Sequence, residues 1–247
     1  MQRIIGINLV ILLLLSACTG PTRTKEQDEK SAVAYTKLGV GYLRQGNRIA
    51  AMENLQKAIE INPEDAAAQH SIALAYQQYG RLELADKHYL LALDLDGEDG
   101  LIHNNYGGFL CQEKRYSESV KYFDNAVNDI KYETPSRALE NAGLCALGIP
   151  DNKMAETYFR RAIRINQQLP VSLLEMAKLS FQNKKYLSVR AFIQRYGMVA
   201  EHTPESLWLA IRAERKLKDK TAATKFSLRL EHGFPGSEEA QLLNESK

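Results

Sequence analysis

The residue types from which a catalytic, metal or phosphate site could be built are scattered through this chain of 247 residues. Its five histidines never fall into H-E-x-x-H or another metal-ligand spacing; they are His70, His88, His103, His202 and His232. No G-x-S-x-G segment that could hold a hydrolase nucleophile is present. The glycines of "LGVGYLRQG" (38–46) lie in a helical pattern rather than after a strand, which disfavours a phosphate loop. The sequence therefore predicts no catalytic residue, metal, cofactor or small-molecule substrate.

The remaining candidate chemistry is covalent modification of Cys18. This cysteine closely follows an almost entirely apolar run over residues 4–15. That run is too short to cross a bilayer as a helix, but it suits the hydrophobic region of a secretory signal. Leu15-Ser16-Ala17-Cys18 resembles the bacterial lipobox, which implies cleavage after residue 17 and a lipid on the Cys18 thiol. The alternative is a short membrane anchor with an incidental cysteine.

The residues that follow Cys18 bear on its destination and on the partner class. Aspartate at position 19 usually signals retention in the inner membrane, so Thr19 implies a lipid anchor in the periplasmic face of the outer membrane. Residues 18–31 are polar and predict a flexible acylated tether, because they offer too little apolar surface to form a core. The formal net charge is only +2. A nucleic-acid-binding protein would show a concentrated basic face, so a nucleic-acid partner is not expected.

The elements that position the rest of the chain form a repeat of 34 residues. With Ala32 as position 1, small and large apolar residues recur at fixed places, as in Gly39, Ala51 and Leu55 of the first unit. These places match the tetratricopeptide repeat, in which each unit is a pair of antiparallel helices. Units begin near 32, 66, 100, 136, 170 and 204, with two extra residues in the loop near "NDIKYETP" (128–135) delaying the fourth. The pattern predicts an all-α fold, an α-α superhelix of six repeats over 32–235 with a tail at 236–247.

Small residues at position 8 are expected to face position 20, where the two helices of a unit approach most closely, as in Gly143 and Ala155. Cys111 and Cys145 fall at positions 12 and 10 of neighbouring first helices. An oxidising compartment permits a disulfide between them. The pattern favours two separate buried small side chains, because free cysteine is among the most often buried residue types.

The binding surface of such a protein is expected in the concave groove lined by positions 2, 5, 9, 12 and 13 of the first helices. The candidates in the first two units are mostly apolar and suit an amphipathic helix or hydrophobic segment; they are Val33, Thr36, Val40, Leu43, His70, Leu74 and Gln77. Thr36 and Val40 replace the lysine and asparagine with which some relatives clamp a peptide carboxylate, which disfavours that ligand. The alternative is that these residues pack against neighbouring units.

Positions 5 and 6 of the second to fourth units are predicted to form a polar ladder. Its members are His70, Ser71, Asn104, Asn105, Glu140 and Asn141. Such a ladder could hydrogen-bond the backbone of a partner or tie neighbouring helices together, and the second role is favoured because buried amides need hydrogen-bond partners. Trp208, at position 5 of the last unit, fits either a groove anchor or core packing.

Several segments are more specific than the general repeat pattern; they include "HNNYGGFLCQEKRYSESVKYF" (103–123), "PSRALENAGLCAL" (135–147) and "YTKLGVGYLRQGN" (35–47). These segments resemble the PilF/PilW pilotin family of type IV pili. The resemblance implies a non-enzymatic outer-membrane lipoprotein that helps the pilus secretin reach the membrane and form multimers, with the N-terminal repeats receiving the secretin. The alternative function is an adaptor for another envelope machine, such as β-barrel insertion or peptidoglycan enzymes.

Overall fold

The computed structural model describes residues 23–150 and 152–246, and within these it contains thirteen α-helices and no strand. The predicted all-α fold of helical repeats is confirmed. The predicted signal peptide at 1–17 and the lipid-attachment residue Cys18 lie outside the described residues. The chain divides into two units, one ending at Pro63 and the other beginning at Glu64.

The first unit contains α1 (Lys25–Arg44) and α2 (Arg48–Ile61), which pack against each other. Helix α1 begins seven residues before the predicted repeat start, so the expectation of a flexible segment up to residue 31 is wrong for 25–31. A capping box starts the helix: the Thr24 side chain accepts from the Gln27 amide, and the Gln27 side chain accepts from the Thr24 amide. Residues 25–31 need no apolar core of their own, because they extend a helix whose later turns pack against α2.

The contact between α1 and α2 depends on the missing side chain of Gly39. A Cβ atom on Gly39 would lie 2.5 Å from the Leu55 Cγ and 3.3 Å from the Ala51 carbonyl oxygen. Position 8 therefore packs first against position 24 and only then against position 20. The same holds at Gly143, where a Cβ would lie 2.6 Å from the buried Phe159 ring. The sequence placed the small residues correctly. At Gly39 the backbone of Ala51 is close, as expected, and the large side chain at position 24 would lie closer still to an added methyl group.

The second unit contains eleven helices, and consecutive pairs pack together from α3·α4 to α11·α12. Their bounds are α3 (Ala66–Gln78), α4 (Leu82–Leu95), α5 (Gly100–Gln112), α6 (Tyr116–Asn128), α7 (Pro135–Ala146), α8 (Lys153–Ile165), α9 (Pro170–Gln182), α10 (Tyr186–Val199), α11 (Pro204–Lys216), α12 (Lys220–Gly233) and α13 (Glu238–Glu245). Six residues, 129–134, join α6 to α7, whereas four residues, 96–99, join α4 to α5. The longer connection carries the two extra residues seen in the sequence.

Most first helices are followed, two residues after their last residue, by a residue in the left-handed backbone region at position 15 of the repeat. Glycine occupies this position at Gly46 and Gly80, whereas Lys114, Lys184 and Lys218 adopt φ values of 60°, 57° and 62°. The left-handed residue reverses the chain so that following amides bond carbonyls of the last turn, as in Arg115 N to Leu110 O at 2.8 Å. The lysines adopt this conformation although their Cβ atoms disfavour it.

The C-terminal segment is a helix rather than the predicted tail. Helix α13 packs against α11 and α12 and buries Ala240 and Leu243 in a cluster with Leu207 and Leu230. Trp208 is half-buried against this cluster, so core packing accounts for it. The segment supplies the apolar cover that the last repeat of an array otherwise lacks. Across the described residues, no helix has the length and apolarity needed to span a membrane.

Candidate functional site

The predicted groove residues of the first unit lie on α1. Val33 is 44% exposed, and Val40 and Leu43 are half-buried. Thr36 is buried, and its hydroxyl donates a hydrogen bond to the Ala32 carbonyl at 2.9 Å. The Thr36 hydroxyl is thus satisfied within its own helix, and Val33, Val40 and Leu43 form an apolar surface, which we call the α1 face. Exposed Arg44, at position 13, lies at the edge of this face.

The predicted groove residues on α3 make extensive contacts within the second unit. Gln77 accepts a hydrogen bond from the Tyr89 hydroxyl at 2.6 Å and donates to the Gln112 side chain at 2.7 Å. Leu74 packs against the cluster that includes Tyr89 and Tyr106. The amide of Gln77 therefore links α3 to α4 and α5, and Leu74 contributes to the core of the second unit.

His70, also on α3, is buried and electrically neutral at physiological pH. Removal from water lowers its pKa from 6.5 to about 4, against a smaller opposing effect of the Asp99 carboxylate. Its Nε2 accepts a hydrogen bond from the Asn105 side-chain amide at 2.9 Å, and its ring lies 6.0 Å from that of Tyr89. A neutral imidazole is the form that can accept this bond, so burial and pairing act together.

The polar ladder is a chain of hydrogen bonds that connects α3, α5 and α7. From the Asn105 amide bonded to His70, the chain continues with Asn104 Nδ2 donating to Asn105 Oδ1 at 3.2 Å. Asn141 Nδ2 then donates to Asn104 Oδ1 at 3.1 Å. Two of these three bonds, Asn105 to His70 and Asn141 to Asn104, join neighbouring repeats, as the inter-repeat role requires, whereas the Asn104–Asn105 bond lies within α5.

The other two ladder residues bond elsewhere. Ser71 donates to the Ala67 carbonyl of its own helix at 2.7 Å. Buried Glu140 accepts from the backbone amide and hydroxyl of Ser172 at 3.0 and 2.6 Å. Ser172 lies in the first turn of α9, whose N-cap residue Leu169 offers no capping side chain. Glu140 thus caps the next repeat's helix, placing a carboxylate where the helix dipole favours negative charge.

Cys111 and Cys145 form a disulfide between α5 and α7, with Cα atoms 5.6 Å apart. The expectation of two separate buried thiols is therefore wrong. Cys145 is 1% exposed and Cys111 is half-buried, and the Ser119 Oγ lies 3.2 Å from the Cys145 Sγ. Stacking brings residues at positions 12 and 10 of neighbouring helices within bridging distance, which spacing along the sequence does not reveal.

One surface was missed by the sequence reasoning. The α4–α5 and α6–α7 connections line an open cleft of about 940 Å³ that contains five acidic residues and His103. The signal available in the sequence was the acidic character of the two loops, "DGED" (96–99) and "DIKYET" (129–134). Within the described ranges, no group of three side chains is arranged to hold a metal ion.

Comparison with known proteins places these repeats in a family. The model of the tetratricopeptide repeat matches residues 32–65 and 66–99. The type IV pilus assembly protein PilF of Pseudomonas aeruginosa is 35% identical over 221 residues, which cover 90% of this chain and 88% of that protein. The chain belongs to the PilF family. The relationship expected from the "NNYGGFL" segment (104–110) is thereby confirmed.

Solved structures extend the relationship to three dimensions. A structure of Pseudomonas aeruginosa PilF has a TM-score of 0.77 and 34% identity, covering 89% of this chain and 99% of that one. PilW, a widely conserved type IV pilus biogenesis factor, has a TM-score of 0.71 and 28% identity over 86% of this chain and 97% of its own. The PilF-family fold thus includes the C-terminal repeats, which the repeat model does not match.

Within this PilF-family chain, the contacts divide the predicted binding residues into two groups. His70, Gln77 and Glu140 have polar groups engaged by neighbouring helices, as do the asparagines of the ladder. The three side chains of the α1 face are apolar, and Val33 is nearly half exposed. The exposed charged residues Lys37 and Arg44 flank them on the same side of the helix. An exposed apolar surface of this kind favours burial against another apolar surface, which makes the α1 face the stronger candidate for protein binding.

Proposed function

We propose that this protein acts in type IV pilus biogenesis as a pilotin, a lipid-anchored adaptor of the outer membrane that binds the pilus secretin and promotes its multimerisation. The observation that carries the proposal is the 35% identity to the type IV pilus assembly protein PilF over 90% of the chain. The tetratricopeptide repeats support action through protein binding rather than catalysis. The lipid on Cys18 and the outer-membrane location belong to the proposal.

In this proposal the α1 face receives an apolar or amphipathic segment of the secretin. Val33 and Val40 differ by seven positions, so they project from nearly the same side of α1. Leu38, which is 51% exposed, lies on a different side of the same helix. Val33 and Leu38 are both exposed aliphatic side chains on different sides of α1. A substitution at Leu38 is therefore a matched control for the same substitution at Val33.

The test compares heat-resistant secretin multimers in membranes of wild-type, deletion, Val33→Glu and Leu38→Glu cells. Deletion and Val33→Glu should both reduce multimers and twitching motility, because burying a carboxylate against an apolar partner is costly. Leu38→Glu should leave them unchanged, and circular dichroism of both variants should match the wild type. Normal multimers in the deletion strain would refute the pilotin function and favour an adaptor for another envelope machine. If multimers were reduced in the deletion strain but not in the Val33→Glu strain, the binding surface would lie outside the α1 face.

A further inference from the structure

The cleft between the α4–α5 and α6–α7 connections is strongly acidic. Five carboxylates line it, those of Asp96, Glu98, Asp99, Asp129 and Glu133, whereas Lys131 is the one lysine or arginine among the lining residues. The cleft lies wholly within the second unit. An acidic cleft between low-dielectric walls concentrates cations, so its electrostatic character selects a positively charged occupant.

Two of these carboxylates already have structural roles. Asp99 accepts hydrogen bonds from the amides of Leu101 and Ile102 and so caps α5. Asp129 accepts from the amides of Gly100 and Lys131, and these bonds lower its pKa. The negative charges of both residues are therefore fixed in place by backbone donors. Glu98 and Glu133 are exposed, and their side chains make no hydrogen bond or ion pair with described residues.

His103 is the independent feature that points to a ligand. It lines the cleft, is only 7% exposed, and its Nδ1 has no hydrogen-bond partner among the described residues. Its other ring nitrogen, Nε2, lies 2.9 Å from the Gly97 carbonyl oxygen, so Nε2 carries the proton and donates. In the neutral ring Nδ1 is then an unpaired acceptor. A buried acceptor without a partner is costly, and the group that would satisfy it is an N–H donor.

The apolar residues at the cleft narrow the class of ligand. Leu101 is 50% exposed and Ile130 is 97% exposed, and both line the cleft. A hydrated metal ion would gain nothing from these side chains, and no three metal-ligating groups converge in the described part of the chain. An arginine flanked by aliphatic residues fits all of these groups. Its guanidinium N–H groups can reach the His103 acceptor and the carboxylates, and the aliphatic residues can contact Leu101 and Ile130.

We propose that this cleft binds an arginine-containing segment of a partner protein. Glu98 and Glu133 pair with the guanidinium of the arginine, and the His103 Nδ1 atom accepts a hydrogen bond from one guanidinium N–H group. Leu101 and Ile130 contact the apolar residues that flank the arginine in the partner segment. The site is a second recognition surface, and it does not depend on the partner assigned to the α1 face.

The test uses the full-length protein in neutral detergent, with ¹⁵N-labelled histidine observed by NMR and His103 assigned with a His103→Gln variant. The probe is the capped peptide Gly-Leu-Arg-Leu-Gly, and its control has neutral citrulline in place of arginine. The arginine peptide should shift the His103 Nδ1 resonance saturably, and the citrulline peptide should bind more weakly. Glu98→Gln with Glu133→Gln should weaken binding about threefold to tenfold. Glu83→Gln with Glu113→Gln, exposed acids outside the cleft, should leave it unchanged.

The proposal is overturned if His103 does not respond to the arginine peptide, or if citrulline binds equally well. Equal weakening by the two pairs of variants would also overturn it, because the effect would then reflect net charge rather than the cleft. A His103 shift caused by calcium chloride but not by the peptide would assign the cleft to a metal ion instead. None of these results bears on secretin multimerisation, so the two proposals stand or fall separately.

Discussion

Acidification from pH 7 to pH 5 should destabilise the second unit through His70. The imidazole is buried on α3 and accepts a hydrogen bond from Asn105, so protonation would place a charge in an apolar site and remove the acceptor. Burial lowers the His70 pKa to about 4 in the folded protein, compared with 6.5 for an ordinary histidine. Because the folded-state pKa is depressed, this stability is present above pH 6.5 and is lost as the pH falls towards 4.

The magnitude follows from the two pKa values. At pH 5 the unfolded chain binds a proton at this position and the folded chain does not. This linkage favours unfolding by about 2 kcal/mol relative to pH 7. The nearby Asp99 carboxylate opposes the shift and is already included in the value of about 4. A loss of this size is a substantial fraction of the stability of a domain.

The assay compares urea unfolding at pH 7 and pH 5, followed by far-ultraviolet circular dichroism, for the wild type and His70→Gln. Glutamine retains a side-chain acceptor for Asn105 but does not titrate, so the variant should lose about 2 kcal/mol less on acidification. Comparison with the variant removes the contribution of all other titrating groups. An equal pH dependence in the two proteins, or a His70 titration midpoint above pH 6 by NMR, would refute this account of the buried histidine.

Three further outcomes follow from other contacts. Gly143→Ala should destabilise the protein by about 1–3 kcal/mol, because the added methyl group would clash with the Phe159 ring. Gly108→Ala should instead stabilise its helix by up to about 1 kcal/mol, because the added methyl group would have no neighbouring atom within 4 Å. Thermal unfolding of both variants checks this pair, and equal changes in melting temperature would contradict it. Lys114→Gly should stabilise by about 0.5–1 kcal/mol by relieving the left-handed backbone, and a decrease in melting temperature would count against that reasoning. Cys18→Ser should leave helical circular dichroism unchanged but remove the protein from the outer membrane on fractionation; retention there would disprove lipid attachment.

The repeat architecture and the family could be read from the sequence because they depend on local patterns. A helix pair needs a stripe of apolar residues and small residues at close contacts, and each recurs every 34 residues here. Gly39 and Gly143 show this well, since the sequence placed both at helix contacts that a methyl group would obstruct. The apolar α1 face could also be anticipated, because Val33 and Val40 share one side of a single helix.

The details of the candidate sites depended on which distant side chains meet, and that is decided by the stacking of helices. The Cys111–Cys145 disulfide requires two Cα atoms 5.6 Å apart on separate repeats, a distance that spacing along the chain does not fix. Glu140 became the cap of α9 because stacking placed it beside Ser172. His103 acquired its acidic surroundings from two loops about 30 residues apart. Periodicity therefore determined the helices, whereas tertiary packing determined the partners of their polar groups.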